Sequence, residues 1–184
     1  TTVREVGGNF RKSKIWQAES AANAIVSPRI FVYARPELGT NRTPEEIRIG
    51  VRQAKLDGAD GLKIGGLDRD QLEALLGEAH IQGLRTAAHI GVEETTAADY
   101  IELGVDSIEH FYGIGEVAID GIQDFPADMN YSDETHRFAY AGELFSQADP
   151  EGLRKVVESM IEHNVGWSPT LSIYEASRDV VRAQ

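Results

Sequence analysis

Short runs of β-branched and apolar residues alternate along this chain with longer runs whose apolar positions recur at helical spacing. Residues 2–6 read as a first strand, stopped by Gly7 and Gly8. Residues 14–26 read as a helix closed by Ser27-Pro28, and residues 29–33 as a second strand. The next helix carries its own start signals. Thr43 suits the N-cap, Pro44 the first helical position, and Glu46 the return arm of a capping box. Ile47, Val51 and Ala54 mark its apolar stripe, and Gly58 ends it. A third strand at residues 61–64 stops at Gly65-Gly66. Asp68 then opens a helix with Leu72, Leu75, Leu76 and Ala79 on one face and Gly83 as its C-cap. A strand at 84–89, a helix near 94–103 and a strand at 105–110 follow.

Residues 111–148 interrupt the rhythm with a segment rich in aromatic and acidic side chains. Asp149-Pro150-Glu151 restarts it with a helix bearing Leu153, Val156, Val157, Met160 and Ile161, ended at Asn164. Residues 165–171 read as a sixth strand, and a last helix is expected from about Tyr174. Strands alternating with helices imply right-handed βαβ units and a parallel sheet. A closed barrel of this class has eight strands. The chain therefore reads as an incomplete (β/α)8 TIM-type barrel or an open α/β sheet, one domain over residues 1–184 with an insert at about 111–148.

Composition narrows the function classes. The 184 residues include 30 acidic side chains against 18 Lys and Arg, a formal net charge of -12. Such a field repels phosphate backbones, so nucleic acid is not expected as a partner. No apolar run approaches the roughly 20 residues that span a bilayer, so no membrane partner is expected. The N-terminus lacks the charged start and apolar stretch of a secretory signal and lacks an initiator Met, which leaves cytoplasmic and periplasmic or secreted locations open. Cys is absent, which removes disulfides, thiolate nucleophiles and Cys-based zinc sites. Any metal must be held by His, carboxylate or a modified side chain.

In parallel α/β folds the active site lies at the carboxyl ends of the strands. Lys63, His89 and His110 fall there, on three successive strands. Taken singly, each has a plain structural reading: a hydrogen-bonded His at a strand end, or a Lys in a rim salt bridge. Together they point to convergence around a cation, because neutral imidazole binds zinc and similar metals well.

Five segments in order then carry a family resemblance. Residues 1–8, TTVREVGG, resemble the second barrel strand of the amidohydrolase superfamily, in its imidazolonepropionase and Xaa-Pro dipeptidase-like branch. Residues 58–64, GADGLKI, resemble its fourth strand, 87–89, AAH, its fifth, 105–110, VDSIEH, its sixth, and 167–171, WSPTL, its seventh. The resemblance implies that Lys63 reacts with carbon dioxide to give a carbamate bridging two metals, with His89 and His110 on the second. A hydroxide between the metals would attack the carbonyl of an amide-like C–N bond in a small-molecule substrate, a dipeptide or a cyclic amide. It implies one or two divalent ions, zinc first among them.

The family's first strand, with its His-x-His pair, and its eighth, with an Asp, have no counterpart in this segment. It is therefore expected not to assemble a complete two-metal site alone. A longer chain, a complementing segment or a homo-oligomer would supply the missing strands.

Tyr33, Arg35, Tyr112 and Thr170 are candidate substrate contacts, with rim stabilisation or packing as the alternative for each. The insert is a candidate lid, with a surface excursion or oligomer contact as the alternative. His80 and His163 read as structural, and His136 is not expected to reach the site. Gly113-Ile114-Gly115 does not continue as a dinucleotide fingerprint, and no Gly-x-Ser-x-Gly elbow is present. Two other functions compete with the hydrolase: a Schiff-base aldolase using Lys63, and a truncated barrel scaffold without turnover.

Overall fold

A computed structural model describes residues 1–36, 42–91, 95–119, 126–130 and 133–182. Its elements run β1 (Thr2–Glu5), α1 (Phe10–Ala21), β2 (Arg29–Ala34), α2 (Pro44–Leu56), β3 (Gly61–Ile64), α3 (Arg69–Gln82), β4 (Arg85–His89) and α4 (Ala97–Glu102). They continue with β5 (Ser107–Glu109), α5 (Ile114–Val117), α6 (Glu134–Gln147), α7 (Pro150–Glu162), β6 (Gly166–Ser168) and α8 (Leu171–Arg182). The six strands form one sheet in the order β1-β2-β3-β4-β5-β6, every neighbouring pair parallel.

The anticipated helix signals act where the chain places them. Thr43 and Glu46 close a capping box on α2, and Gly83 ends α3 in the left-handed region at φ 63°. Several boundaries differ from the sequence reading. Helix α1 begins at Phe10 rather than Lys14, because Asn9 caps it by accepting from the Lys12 amide. The Glu5 carboxylate also takes the amides of Gly7 and Gly8 and the Ser13 hydroxyl, so the chain turns directly from β1 into α1. Helix α8 starts at Leu171, ahead of Tyr174. The insert carries α5 and α6, and Phe138 and Phe145 of α6 make edge-on contacts that converge on Phe111. The expected start of α4 at Glu94 lies outside the described residues; the helix is described from Ala97, with Thr96 and Asp99 in a capping box.

Alternation along the strands divides the sheet into two faces. Leu62, Ile64, Ala88 and Ile108 pack outward under Val51 of α2, Leu75 of α3, Tyr100 of α4 and Met160 of α7. Burying each of the Leu, Ile, Val and Met side chains among them contributes about 1.5–3 kcal/mol. The opposite face carries Arg4, Tyr33, Lys63, His89, Ser107 and Glu109 at the intervening register positions.

The sheet is strongly curled. Arg4 of β1 donates to Ser107 Oγ at 3.0 Å and to Glu109 Oε1 at 2.9 Å, both on β5. A flat sheet would hold β1 and β5 about 19 Å apart, four strand spacings, beyond the joint reach of an Arg and a Glu. The polar face is thus the concave inside of a half-barrel, and the apolar face is its helix-covered outside.

Gly61 is required by this curl. A Cβ there would lie 2.6 Å from the Tyr33 ring and 2.7 Å from the Arg85 carbonyl oxygen. The oxygen belongs to the neighbouring strand and cannot step aside alone. Gly61→Ala is expected to destabilise the fold by about 2–3 kcal/mol, read from the midpoint of urea unfolding.

Candidate functional site

The site is built at the carboxyl ends of β3, β4 and β5. Lys63 is in register with Ala87, and Ala87 with Ser107, so these three share the concave face. Lys63 is buried, at 5% exposure. His89, two residues beyond Ala87, is in register with Glu109. His110 therefore stands one position past the equivalent of His89, and strict alternation would turn its side chain to the outer face.

It does not, for a local reason. His110 adopts φ 66°, in the left-handed region. The alternation breaks there, and its imidazole comes edge-on to that of His89 with ring centroids 4.6 Å apart. His is one of the few residue types enriched in this backbone region. Strand β5 accordingly ends at Glu109, one residue short of the sequence reading.

Residues after β5 and β6 hold His110 in this pose. Its amide donates to the Ser168 carbonyl at 2.8 Å, and its own carbonyl accepts from Trp167 Nε1 at 2.5 Å. Its Nδ1 lies 2.7 Å from the Thr170 hydroxyl. Thr170, one of the anticipated substrate contacts, thus faces a ring nitrogen of His110. Tyr112, another, is 1% exposed and stacks between Phe111 and the two imidazoles, at 5.0 Å from His89 and 5.9 Å from His110. Tyr33 lies over Gly61 with the Arg4 guanidinium 5.9 Å above its ring. Arg35 is exposed and lines a cleft of about 490 Å³ with Phe10, Pro36 and Arg42.

Arg4, Ser107 and Glu109 belong to the site although their separate roles are hard to see in the sequence. Glu109 is 5% exposed and accepts from Arg4 and from the Ser107 hydroxyl, the latter at 3.0 Å. The Arg4 guanidinium is held above its ordinary range: partial burial works against its charge, and Glu109 and Tyr33 more than offset it. The available signal was parity: Arg4 and Glu109 each follow an apolar residue, Val3 and Ile108, that strand alternation turns to the opposite face.

The other histidines stand apart. His80 Nε2 meets the Gly104 carbonyl at 2.9 Å, and His163 Nδ1 meets the Ser159 carbonyl at 2.9 Å in the last turn of α7. His136 accepts from the Asn130 amide at 3.3 Å.

Glu116, on α5, is a buried carboxyl whose two oxygens lack hydrogen-bond partners of good geometry. Burial pushes it above the ordinary carboxyl range, and the nearby amides of Glu116 and Gly113 offset only part of that. The folded chain therefore holds this proton more tightly than the unfolded chain. Stability is greatest below the unfolded carboxyl value and falls as pH rises from there through the raised native one. Glu116→Gln is expected to flatten that dependence and to stabilise the protein at pH 7 by about 1 kcal/mol, measured by unfolding across pH 4–8.

The donor set suits part of a divalent-metal site. Two imidazoles in contact offer two neutral nitrogens, and Lys63 lies on the same face. Among the described residues no three His, Cys, Asp or Glu side chains gather into a cation cage, and a closed tetrahedral site requires four ligands.

Comparison with known proteins places the fold. No family model and no curated protein sequence matches the chain. Among solved structures it is similar to an Xaa-Pro dipeptidase with methionine bound in its active site, at 23% identity and TM-score 0.60, covering 92% of this chain and 54% of that one. It is similar to molinate hydrolase at 14% identity and TM-score 0.56, covering 91% of this chain and 40% of the other. An uncharacterised protein structure aligns at 19% identity and TM-score 0.51, over 91% of this chain and 53% of its own. The chain spans about half the length of the solved structures it resembles. At these identities the likeness establishes the fold alone, part of an α/β barrel shared with these structures.

Proposed function

We propose that this chain is part of a metal-dependent hydrolase that cleaves an amide-like C–N bond in a dipeptide or cyclic amide. One observation carries the reading: His89 and His110, from the ends of adjacent parallel strands, meet ring to ring inside the mouth of the half-barrel. The fold likeness to an Xaa-Pro dipeptidase and to molinate hydrolase supports it.

His89 and His110 would hold the cation, with Lys63 joining as its carbamate. A divalent ion there, zinc first among the candidates, would polarise the scissile carbonyl and lower the pKa of water to about 7. The chain's own residues shape the rest. Glu109 and Arg4 fix the wall beside the imidazoles. Phe111, Phe145, Trp167, Pro169 and Leu171 line an open apolar cleft of about 430 Å³, suited to an apolar group of the substrate. Arg35, exposed at the end of β2, is the candidate partner for a substrate carboxylate. The donors among the described residues fall short of a full two-metal set, so complete turnover is assigned to an assembly that supplies further ligands.

The test is zinc binding by the chain in competition with a chromophoric chelator. Binding is expected to depend on His89 and His110 and to strengthen with bicarbonate through Lys63. A chain that takes up no zinc, or takes it up equally without both imidazoles, rules the reading out.

A further inference from the structure

We propose that Thr170 is the positioning residue for His110: its hydroxyl accepts from Nδ1–H, fixing the tautomer in which Nε2 carries the lone pair for a cation. The inference rests on the reading of His110 as a metal ligand, but its geometry stands independently. Thr170 Oγ1 and His110 Nδ1 are 2.7 Å apart, between residues 60 positions apart in sequence. Neutral imidazole has one donor and one acceptor nitrogen, so whatever occupies Nδ1 decides what Nε2 can do. Metal-bound His residues commonly donate their second nitrogen to an oxygen in this way.

The backbone makes a merely incidental contact a poor explanation. Thr170 adopts φ 52° and His110 φ 66°. Left-handed backbone is a genuine outlier for a β-branched residue. Thr170 directly precedes α8, where a threonine ordinarily takes extended backbone and serves as a cap. Here both partners of one hydrogen bond hold left-handed backbone, which His tolerates and Thr does not. The amide and carbonyl of His110 are also tied to Ser168 and Trp167 on the same segment. The stretch from Trp167 to Thr170 therefore grips His110 at three points: amide, carbonyl and ring. Strain that persists because surrounding contacts over-determine it is a feature of ligand-clamping sites.

Three substitutions separate positioning from structure. Thr170→Ser keeps the hydroxyl. Thr170→Val keeps the shape and loses the hydroxyl. Thr170→Gly loses the hydroxyl and relieves the backbone, so it guards against a Val variant that does not fold. The first readout is the 15N chemical shifts of the His110 ring in metal-free protein, assigned against His110→Asn. The parent chain and Thr170→Ser are expected to show the Nδ1–H form. Thr170→Gly is expected to be at least as resistant to urea as the parent, yet to lose the pure Nδ1–H signature.

The second readout is zinc affinity, expected to fall 10- to 100-fold in Thr170→Gly and Thr170→Val and to be restored in Thr170→Ser. An Nε2–H form in the parent chain, or His110 shifts unchanged by Thr170→Gly, overturns the proposal. If neither parent nor variants bind zinc, the metal reading fails while the nitrogen shifts still decide the role of Thr170.

Discussion

Replacing either imidazole is expected to weaken zinc binding at least 100-fold, a loss of about 2.7 kcal/mol. The expectation follows from the small donor set. With His89 and His110 in contact and no third His, Asp or Glu gathered beside them among the described residues, each imidazole is a large share of the protein's hold on the ion. The choice of substituent matters. His110 sits at φ 66°, where alanine adds backbone strain of its own. Asparagine tolerates that region, so His110→Asn separates the lost ligand from the lost fold. His89 ends a regular strand and accepts alanine. Competition against a chromophoric chelator gives the affinities, and urea unfolding without metal gives the control. Lys63→Arg keeps the charge but cannot form a carbamate; it should cancel the bicarbonate response while leaving weak binding to the two imidazoles. Undiminished zinc affinity in a His89→Ala, His110→Asn double variant would sink the proposed function.

The second large effect is on stability. Arg4→Ala should cost about 3 kcal/mol, since it leaves the charge of the buried Glu109 without its cationic partner. Glu109 is 5% exposed and, among the described residues, would keep the Ser107 hydroxyl as its hydrogen-bond donor. The Arg4 side chain itself is 38% exposed, which places the loss at the lower end of the usual range. For a chain of this length about 3 kcal/mol corresponds to a fall in Tm of roughly 6–12 °C. The charge is what hurts, so adding Glu109→Gln to Arg4→Ala should recover part of the loss. Equal Tm values for parent and Arg4→Ala would show that the bridge does not hold β1 to β5. The bridge also matters for chemistry: Glu109 immediately precedes His110, and a relaxed curl would move the imidazole away from His89.

Much of the architecture was legible from local signals. The capping box at Thr43 and Glu46, the left-handed stop at Gly83 and the Asp149-Pro150 start of α7 act within a few residues of themselves, so tertiary structure had little to override. The outward periodicity of Leu72, Leu75, Leu76 and Ala79 likewise names the core directly. The start of α1 was missed because the deciding contacts run from Asn9 and Glu5, residues with no apolar periodicity to announce them. Helix α6 was missed because its polar and aromatic residues do not form a clean stripe, and its placement comes from packing on Phe111.

The candidate site divides in the same way. The chain itself dictated that Lys63, His89 and His110 would come near the ends of three successive parallel strands, because alternation of strand and helix leaves few other topologies. It could not dictate that His110, one residue out of phase, would turn inward, since that depends on a left-handed residue held by Ser168, Trp167 and Thr170 on the next strand segment. Nor could it pair Arg4 with Glu109, which lie 105 residues apart and meet only once the sheet is curled. Local physics, acting over a few residues, set the elements and their order. Contacts between residues distant in the chain exist only after those elements pack, and they decided which side chains share the concave face at bonding distance.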